Sequence, residues 1–288
     1  MNVTILGASG LLGKALMREW TRDEVVGLGS RDVDIRDADK VLQAVERARS
    51  EWIVLAAAYT NVDDCESHPD LAFAVNRDGA VNVAQAAKRT GAKLLFLSSD
   101  YVFDGKKTTP YETEDARNPP SVYGRSKAEA EVRLLEVLPE CCIARTSWLF
   151  GTGGKCFPDT ILKLAASRPA LDVVNDQRGC PTYSVDLARV IIELCRKHAC
   201  GIVHATNSGN CSWFEFASEI VNRAHLATQV RPVSSQQMAR PAPRPAYSVL
   251  SEKSLQRYEI AVPMWRDALE RYLVERNNGA YRQDRGLV

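Results

Sequence analysis

The sequence has almost no net charge, because 36 acidic residues balance its 37 basic ones to give +1. That balance excludes a global electrostatic attraction to nucleic acid or to an anionic membrane surface. The chain also lacks any apolar run near the length of about 18 residues that a membrane-spanning helix needs, and its N-terminus has no basic segment ahead of an apolar stretch. We therefore expect a cytoplasmic protein with neither nucleic acid nor membrane among its partners.

Metal-binding spacing is missing as well. The eight cysteines include no C-x2-C pair of the kind found in zinc ribbons and fingers, and the four histidines show no ligand spacing. Cysteines in an intracellular chain are normally reduced thiols. We expect reduced cysteines and no metal.

What the sequence does have is a regular alternation in its first half. Apolar runs of strand length are separated by longer segments with apolar residues at helical spacing. The predicted strands are 3–6, 25–28, 52–58, 94–97 and 141–144, and the predicted helices are 11–20, 38–48, 71–88 and 126–138. This alternation is typical of a parallel sheet covered on both faces. We predict an α/β fold, a doubly wound parallel sheet of the Rossmann type. Its nucleotide-binding domain spans 1–149 and is completed by parts of 171–205.

The second half is less regular, and we assign residues 150–288 to an interleaved, smaller substrate-binding region. One further strand is predicted at 171–174, with helices at 185–197 and 265–276. Four prolines fall within 231–246, so this stretch is predicted to be an ordered loop without strand or helix. The polar tail 277–288 is expected to fray.

A glycine-rich turn links the first strand to the first helix. Gly7, Gly10 and Gly13 have the spacing G-x-x-G-x-x-G, with Leu11 and Leu12 between the last two. Glycines let a tight turn bring the backbone close to a pyrophosphate, and the helix N-terminus offers it free N–H groups. The order of strand, turn and helix therefore predicts a dinucleotide site. The spacing is typical of extended short-chain dehydrogenases.

A second signature is Y-x-x-x-K. Tyr123 and Lys127 lie four residues apart at the start of a predicted helix, and so on one helix face. An ammonium beside the phenol would lower the phenol pKa from about 10 toward neutral pH. The end of the strand at 94–97 adds hydroxyls at the edge of the sheet where ligands bind. Ser99 is the candidate that polarises a substrate carbonyl, and Ser98 is its competitor.

Several longer segments are more specific than the glycine turn. They are AAAYTNVD (56–63), AVN (74–76), SSDYVFDG (98–105), YGRSK (123–127), RTSWLFG (145–151) and DQRGCPTY (176–183). With these segments the chain resembles the dTDP-4-dehydrorhamnose reductases over nearly its whole length. That family reduces the C4 ketone of a nucleotide-linked 6-deoxyhexose with NADPH or NADH, finishing dTDP-L-rhamnose. The resemblance implies the same activity and a nucleotide-sugar substrate, and it leaves a homodimer open.

The resemblance also implies a role for each matching residue. Tyr123 would be the proton donor and Lys127 its partner, and Ser99 stands where the family usually has threonine. The implied sugar contacts are Asp100, Tyr101 and Trp148. The implied cofactor contacts beyond the glycine turn are Asp34 and Ile35 on the adenine side, Ala58, Tyr59 and Thr60 on the nicotinamide side, and the adjacent Ala57.

Three positions depart from the family pattern. Leu11 replaces a common glutamine in the glycine turn, and Cys180 replaces a common serine. Some family members bind Mg²⁺ at a dimer contact through a glutamate of the first helix. This chain has Ala15 at the matching position. The metal is therefore not carried over.

Cofactor choice depends on the residues after the second strand. NAD-preferring sites commonly place a carboxylate at the end of that strand, whereas here glycine and serine are followed by Arg31. A guanidinium can donate a bidentate pair of hydrogen bonds to a 2′-phosphate. We predict a preference for NADPH, with NADH also used because Asp32 or Asp34 could reach the ribose.

Two alternatives stay open. The regulatory subunit of methionine adenosyltransferase has the same fold and similar segments, so the chain could be a non-catalytic subunit. An intact set of Ser99, Tyr123 and Lys127 favours the enzyme, because a regulatory chain need not keep all three. The other alternative is a reductase that makes a different nucleotide 6-deoxyhexose, for example in the talose series.

Overall fold

The computed structural model describes the backbone of residues 1–284 and the side chains of residues 1–278. The strands are β1 (Asn2–Leu6), β2 (Glu24–Leu28), β3 (Trp52–Leu55), β4 (Lys93–Ser99), β5 (Cys142–Thr146), β6 (Leu149–Phe150), β7 (Ala170–Val174), β8 (Arg178–Gly179), β9 (Thr182–Tyr183), β10 (Gly201–His204), β11 (Cys211–Ser212) and β12 (Gln229–Val233). The helices are α1 (Leu11–Glu19), α2 (Ala38–Ala48), α3 (Val62–Ser67), α4 (Pro69–Phe73), α5 (Gly79–Thr90), α6 (Val122–Val137), α7 (Phe157–Ala165), α8 (Ser184–Arg196), α9 (Trp213–Arg223), α10 (Lys253–Gln256) and α11 (Trp265–Asp284).

Six of these strands form a parallel sheet in the order β10-β5-β4-β3-β1-β2. The chain winds in opposite directions from β1 and β3, so the loops that follow these two strands flank a crevice at the carboxyl edge of the sheet. The predicted fold class, a doubly wound parallel sheet, is confirmed. The last strand, β10, comes from residues 201–204, inside the range 171–205.

Both faces of the sheet are buried, which explains why its strands read as unbroken apolar runs. In β3, Trp52 and Val54 face one core cluster with α1 and α8, whereas Ile53 and Leu55 face the other with α2, α5 and α6. Successive side chains of a strand point to opposite faces, so each strand contributes to both clusters.

The second half has its own core around Phe150, Phe216, Trp265 and Tyr272. Its strands pair two by two, as β7 with β12, β8 with β11 and β6 with β9. The prediction that residues 231–246 contain no strand is wrong at its start, because β12 runs parallel to β7 with Pro232 opposite Val173. A two-stranded sheet has only edge strands, and an edge strand tolerates a proline.

Other elements also differ from the sequence prediction. The helix predicted at 71–88 is broken by a π-helical turn at Ala74–Asp78, a feature often found near functional sites. The helices α7 and α9 were not predicted, although Ser212 and Glu215 form a capping box that marks the start of α9. The last helix reaches Asp284, beyond the predicted 276, and the rest of the tail predicted to fray, 285–288, lies outside the described residues. Within residues 1–284, no helix is both long and apolar enough to cross a membrane.

Candidate active site

The turn between β1 and α1 is shaped by its glycines. Gly7 has a left-handed backbone with φ +96°, and a Cβ there would lie 2.5 Å from the backbone nitrogen of Ala57. A Cβ on Gly13 would lie 2.2 Å from the carbonyl oxygen of Gly7. Neither position can carry a side chain without moving the backbone. The turn therefore packs directly on the loop after β3 and leaves the N-terminus of α1 facing the crevice.

A cavity of about 410 Å³ runs along this turn on the β2 side. Its lining includes the predicted contacts Gly7, Gly10, Asp34, Ile35, Ala57 and Ala58. Arg36 also lines it and pairs with Asp34 at 2.6 Å, and hydrogen bonds from Arg36 lower the pKa of that carboxyl to about 2. Arg31 is exposed and stands outside the described lining, next to the lining residue Ser30.

A second cavity, of about 460 Å³, continues from the first across Gly7, Gly10 and Ala58. It brings together all three predicted catalytic residues, Ser99, Tyr123 and Lys127. We name it the catalytic cavity after them. Its lining also contains the predicted contacts Leu11, Leu12, Gly13, Thr60, Asp100, Tyr101 and Trp148. Predicted contacts as far apart in the sequence as Gly7 and Trp148 thus meet at the carboxyl ends of β1, β3, β4 and β5.

Tyr59 is the exception among the predicted nicotinamide-side residues. Its side chain packs against Cys65, Ala72 and Val122. Its backbone N–H donates to the Asn76 Oδ1 at 2.7 Å, and the Asn76 amide donates in turn to the hydroxyl of Ser126 on α6 at 3.0 Å. The π-helical turn that carries Asn76 therefore ties the loop after β3 to the helix of Tyr123 and Lys127.

The structure separates the two serines that end β4. The Ser98 hydroxyl donates to Glu131 Oε1 at 2.5 Å, so it is already engaged in a buried contact. The Ser99 hydroxyl donates to Asp100 Oδ1 at 3.0 Å and accepts from the backbone N–H of Tyr101 at 3.2 Å. Both serines line the cavity, but the Ser98 hydroxyl is held by Glu131. Of the two hydroxyls, Ser99 is therefore the one better placed to meet a ligand in the cavity.

Tyr123 and Lys127 lie in the first turns of α6, whose N-cap Ser121 accepts from the backbone N–H of Gly124 at 3.1 Å. Lys127 is buried, and its ammonium donates to the carbonyl oxygen of Leu97 at 2.6 Å. Burial raises the pKa of the Tyr123 phenol, and the hydrogen bond with Ser99 opposes this only in part. This raised pKa is opposite to the decrease predicted from the Tyr–Lys spacing, because desolvation is the largest effect on the phenol.

Two polar atoms of the catalytic cavity lack partners. Asp100 Oδ2 and Thr146 Oγ1 are buried without a hydrogen-bond partner among the described residues. Asp100 is only 2% exposed, and burial raises its pKa to about 7, although the hydrogen bond from Ser99 acts against this. Buried polar groups are rarely left unsatisfied. These atoms fit a polar ligand that fills the cavity.

Trp148 has a left-handed backbone, with φ +45°. Its indole stacks on Trp213 with ring centroids 3.5 Å apart and an interplanar angle of 7°. Both indoles line the catalytic cavity and are half-buried against the core of the second half. A sugar can therefore contact only the parts of Trp148 that Trp213 leaves uncovered.

A third cavity, of about 560 Å³, shares Tyr101 and Trp213 with the catalytic cavity and lies over the second half. Arg240 and Arg244, from the proline-rich loop, contribute its positive charge. Arg244 donates to Asp63 Oδ1 at 2.7 Å, so α3 of the first half holds this loop.

The sequence of nearly the whole chain is similar to those of known proteins. The family described as RmlD substrate binding domain matches residues 1–278, nearly the whole chain. Relatives in this range include a dTDP-4-dehydrorhamnose reductase of Streptomyces griseus, 41% identical over 257 residues that cover 86% of this chain and 84% of the relative. The chain belongs to the dTDP-4-dehydrorhamnose reductase family.

Two further relatives of this reductase family span almost the entire chain. The spore coat polysaccharide biosynthesis protein SpsK of Bacillus subtilis is 40% identical over 278 residues, covering 96% of this chain and 98% of SpsK. The crystal structure of a dTDP-4-dehydrorhamnose reductase from Bacillus anthracis in complex with NADP has a TM-score of 0.93 and 38% identity. That match covers 95% of this chain and 98% of the other.

Some site residues of this family member were missed from the sequence. Thr146 stands in the segment RTSWLFG beside Trp148, but its unpartnered hydroxyl is visible only in the structure. Trp213 was not among the predicted site residues, yet it lines two cavities. Arg240 and Arg244 lie in the proline-rich loop, where no spacing pattern marks them as site residues, and both line the third cavity.

Proposed function

We propose that the protein reduces the C4 ketone of dTDP-4-dehydro-L-rhamnose with NADPH, giving dTDP-L-rhamnose. The observation that carries this proposal is the convergence of Ser99, Tyr123 and Lys127 in one cavity with the glycine turn. The relatives named dTDP-4-dehydrorhamnose reductase support the same activity. A purely regulatory chain has no need for this convergence.

The adjoining cavities along the glycine turn fit a dinucleotide. The side-chain-free turn at Gly7 and the N-terminus of α1 would hold the diphosphate, because a Cβ at Gly7 would collide with the neighbouring backbone. Asp34 and Ile35 would contact the adenosine, and Ala58 and Thr60 the nicotinamide side. When bound, NADPH supplies the hydride; NADH is expected to serve as a weaker substitute.

Tyr123 would donate the proton to the C4 oxygen of the sugar. Its raised pKa keeps the phenol protonated at neutral pH, which is the state that an acid needs before the reaction. The neighbouring Ser99 hydroxyl would polarise the same oxygen. Lys127, held against Leu97, would contact the cofactor ribose and stabilise the phenolate that remains after proton transfer.

The rest of the substrate would extend away from the reacting carbon. Asp100 Oδ2 and Thr146 Oγ1 would accept or donate hydrogen bonds with sugar hydroxyls, and the edge of Trp148 would contact the ring. The third cavity would take the nucleoside diphosphate, with Arg240 and Arg244 near its charge. We place the enzyme in the cytoplasm and leave a homodimer open.

The test is a steady-state assay with dTDP-4-dehydro-L-rhamnose and NADPH, followed by product identification by NMR. Tyr123→Phe should abolish most turnover, whereas Tyr258→Phe should not. Tyr258 bonds the backbone of Cys200 far from the cavities and serves as the matched control. Cofactor binding without turnover of any nucleotide 4-keto-6-deoxyhexose would favour the non-catalytic alternative. Turnover of a different one only would change the substrate and keep the reaction.

A further inference from the structure

A buried carboxylate lies one helical turn beyond the catalytic lysine. Glu131 follows Lys127 by four residues on α6, and its side chain is fully buried. Its two oxygens accept four hydrogen bonds. Arg145 on β5 donates from Nε at 2.9 Å and from Nη2 at 2.6 Å, Arg117 donates from Nε at 2.6 Å, and the Ser98 hydroxyl donates at 2.5 Å. Such complete pairing is what allows a charge to remain deep inside a protein.

The hydrogen bond between Glu131 and Ser98 connects Glu131 to the active site, because Ser98 directly precedes Ser99 in β4. Leu97 and Ser98 are the two residues that precede Ser99 at the end of β4. Lys127 binds the Leu97 carbonyl at 2.6 Å and Glu131 binds the Ser98 hydroxyl, so α6 fixes the strand end at both positions. The place of the Ser99 hydroxyl in the cavity therefore depends on Glu131.

The charge of Glu131 acts on Lys127. Burial lowers the pKa of Lys127 to about 7, and the charge of Glu131 works against this decrease. Burial alone would raise the pKa of Glu131, but the bonds from Arg145, Ser98 and Arg117 outweigh it and keep the carboxylate ionised. Without that carboxylate, the ammonium would keep the Leu97 carbonyl and the ring of Phe96, whose centroid is 4.0 Å away, but would lose the negative charge that favours its protonated form.

The other ionisable groups near this cluster do not supply the negative charge that Glu131 places near Lys127. On the cavity side stand Tyr123 on α6 and Asp100 after β4. On the opposite side, His204 of β10 approaches Arg145 at 3.4 Å and is neutral, because burial and the arginine lower its pKa to about 4. Both arginines of the cluster are positive, so they disfavour a protonated, positively charged His204 beside them.

We infer that Glu131 is a positioning residue for the proposed reduction: it seats Ser99 through Ser98 and holds a negative charge one helical turn from Lys127. Its side chain is outside the described linings of both cavities along the glycine turn. The inference rests on the proposed function only for its effect on turnover, since the charge of Lys127 can be measured in the protein alone.

The charge effect is tested by NMR of the enzyme with ¹³C-labelled lysine side chains, with the Lys127 signal assigned by its absence from Lys127→Met. Glu131→Gln removes the charge and keeps the shape. We expect Lys127 to titrate at least about one pH unit lower in this variant than in the wild type, as loss of a close opposite charge predicts. Glu129→Gln is the matched control, because it removes the same charge from the exposed side of α6, and it should leave Lys127 unchanged.

The positioning effect is tested with Ser98→Ala, which keeps Glu131 and both arginines. We expect kcat to fall roughly tenfold or more, as for a small misplacement of a catalytic group, with the Lys127 titration unchanged. A Lys127 titration at the wild-type pH in Glu131→Gln, or a wild-type kcat in Ser98→Ala, overturns the inference. If Glu131→Gln does not fold, Ser98→Ala still decides. If the wild type turns over no substrate, the proposed function fails while the titration still tests Glu131.

Discussion

Replacing Asp100 with asparagine should stabilise the protein relative to wild type, by an amount that grows as the pH rises. Burial raises the Asp100 pKa from its ordinary 3.8 to about 7, so in the native state this carboxyl stays protonated over a range in which the unfolded chain releases its proton. The unfolded state is therefore favoured increasingly from about pH 4 to pH 7, and the penalty is constant above that. Asparagine has nearly the same shape and never ionises.

The size of the effect follows from the pKa change. A rise of about three units, at about 1.4 kcal/mol per unit, corresponds to about 4 kcal/mol. The difference in free energy of unfolding between Asp100→Asn and wild type should thus increase by about 4 kcal/mol from pH 4 to pH 8. Urea unfolding curves at several pH values measure it directly.

A neighbouring carboxylate supplies a control of opposite sign. The hydrogen bond from the Tyr111 hydroxyl, 2.7 Å long, lowers the pKa of Asp104, so that carboxylate stabilises the fold above its unfolded pKa. Asp104→Asn should therefore lose stability relative to wild type as the pH rises. A difference for Asp100→Asn that does not vary with pH would refute the reasoning, because it would mean that the buried carboxyl titrates normally.

Three further changes give measurable outcomes. Tyr123→Phe should lower kcat by about 10²–10⁴-fold, the usual contribution of a positioned acid, and isothermal titration should find NADPH affinity unchanged. Trp148→Ala should raise the substrate KM and cost about 3 kcal/mol of stability in thermal melts, because the indole stacks on Trp213 as well as lining the cavity. Arg31→Ala should lower the NADPH-to-NADH ratio of kcat/KM about tenfold, as expected for a charged hydrogen bond. Arg47→Ala is its control, because Arg47 is an exposed arginine of α2 outside the linings of both cavities; an unchanged ratio in Arg31→Ala removes Arg31 from the site.

The first half of the fold was predictable because four of its strands, β1, β3, β4 and β5, are buried on both faces. Such strands appear as short apolar runs, and β1, β2, β3, β4 and β5 overlap their predicted positions. The second half was harder to predict, because its strands are only two to five residues long and pair in twos. The capping box at Ser212 was a local signal for α9 that went unused.

The site was predictable where motifs place residues on one element and less so where distant segments meet. The Tyr–Lys spacing and the glycine turn identified two sides of the catalytic cavity. The choice between Ser98 and Ser99 needed Glu131, which lies 33 positions from Ser98 in the sequence. The pKa of Tyr123 depends on its burial by residues from several elements, which the spacing of residues within one helix cannot predict.

The position of β10 at the edge of the main sheet limits how this protein can be recombined with its relatives. The chain leaves the sheet after β5, builds β6 to β9, and then returns through α8, which packs on α1, to add β10 beside β5. A hybrid with a single crossover near residue 147 would exchange a strand and a helix of the nucleotide half along with the sugar-facing segments. Altered sugar specificity would need two separate cassettes, 147–183 and 205–278, with residues 184–204 retained from the parent that supplies residues 1–146.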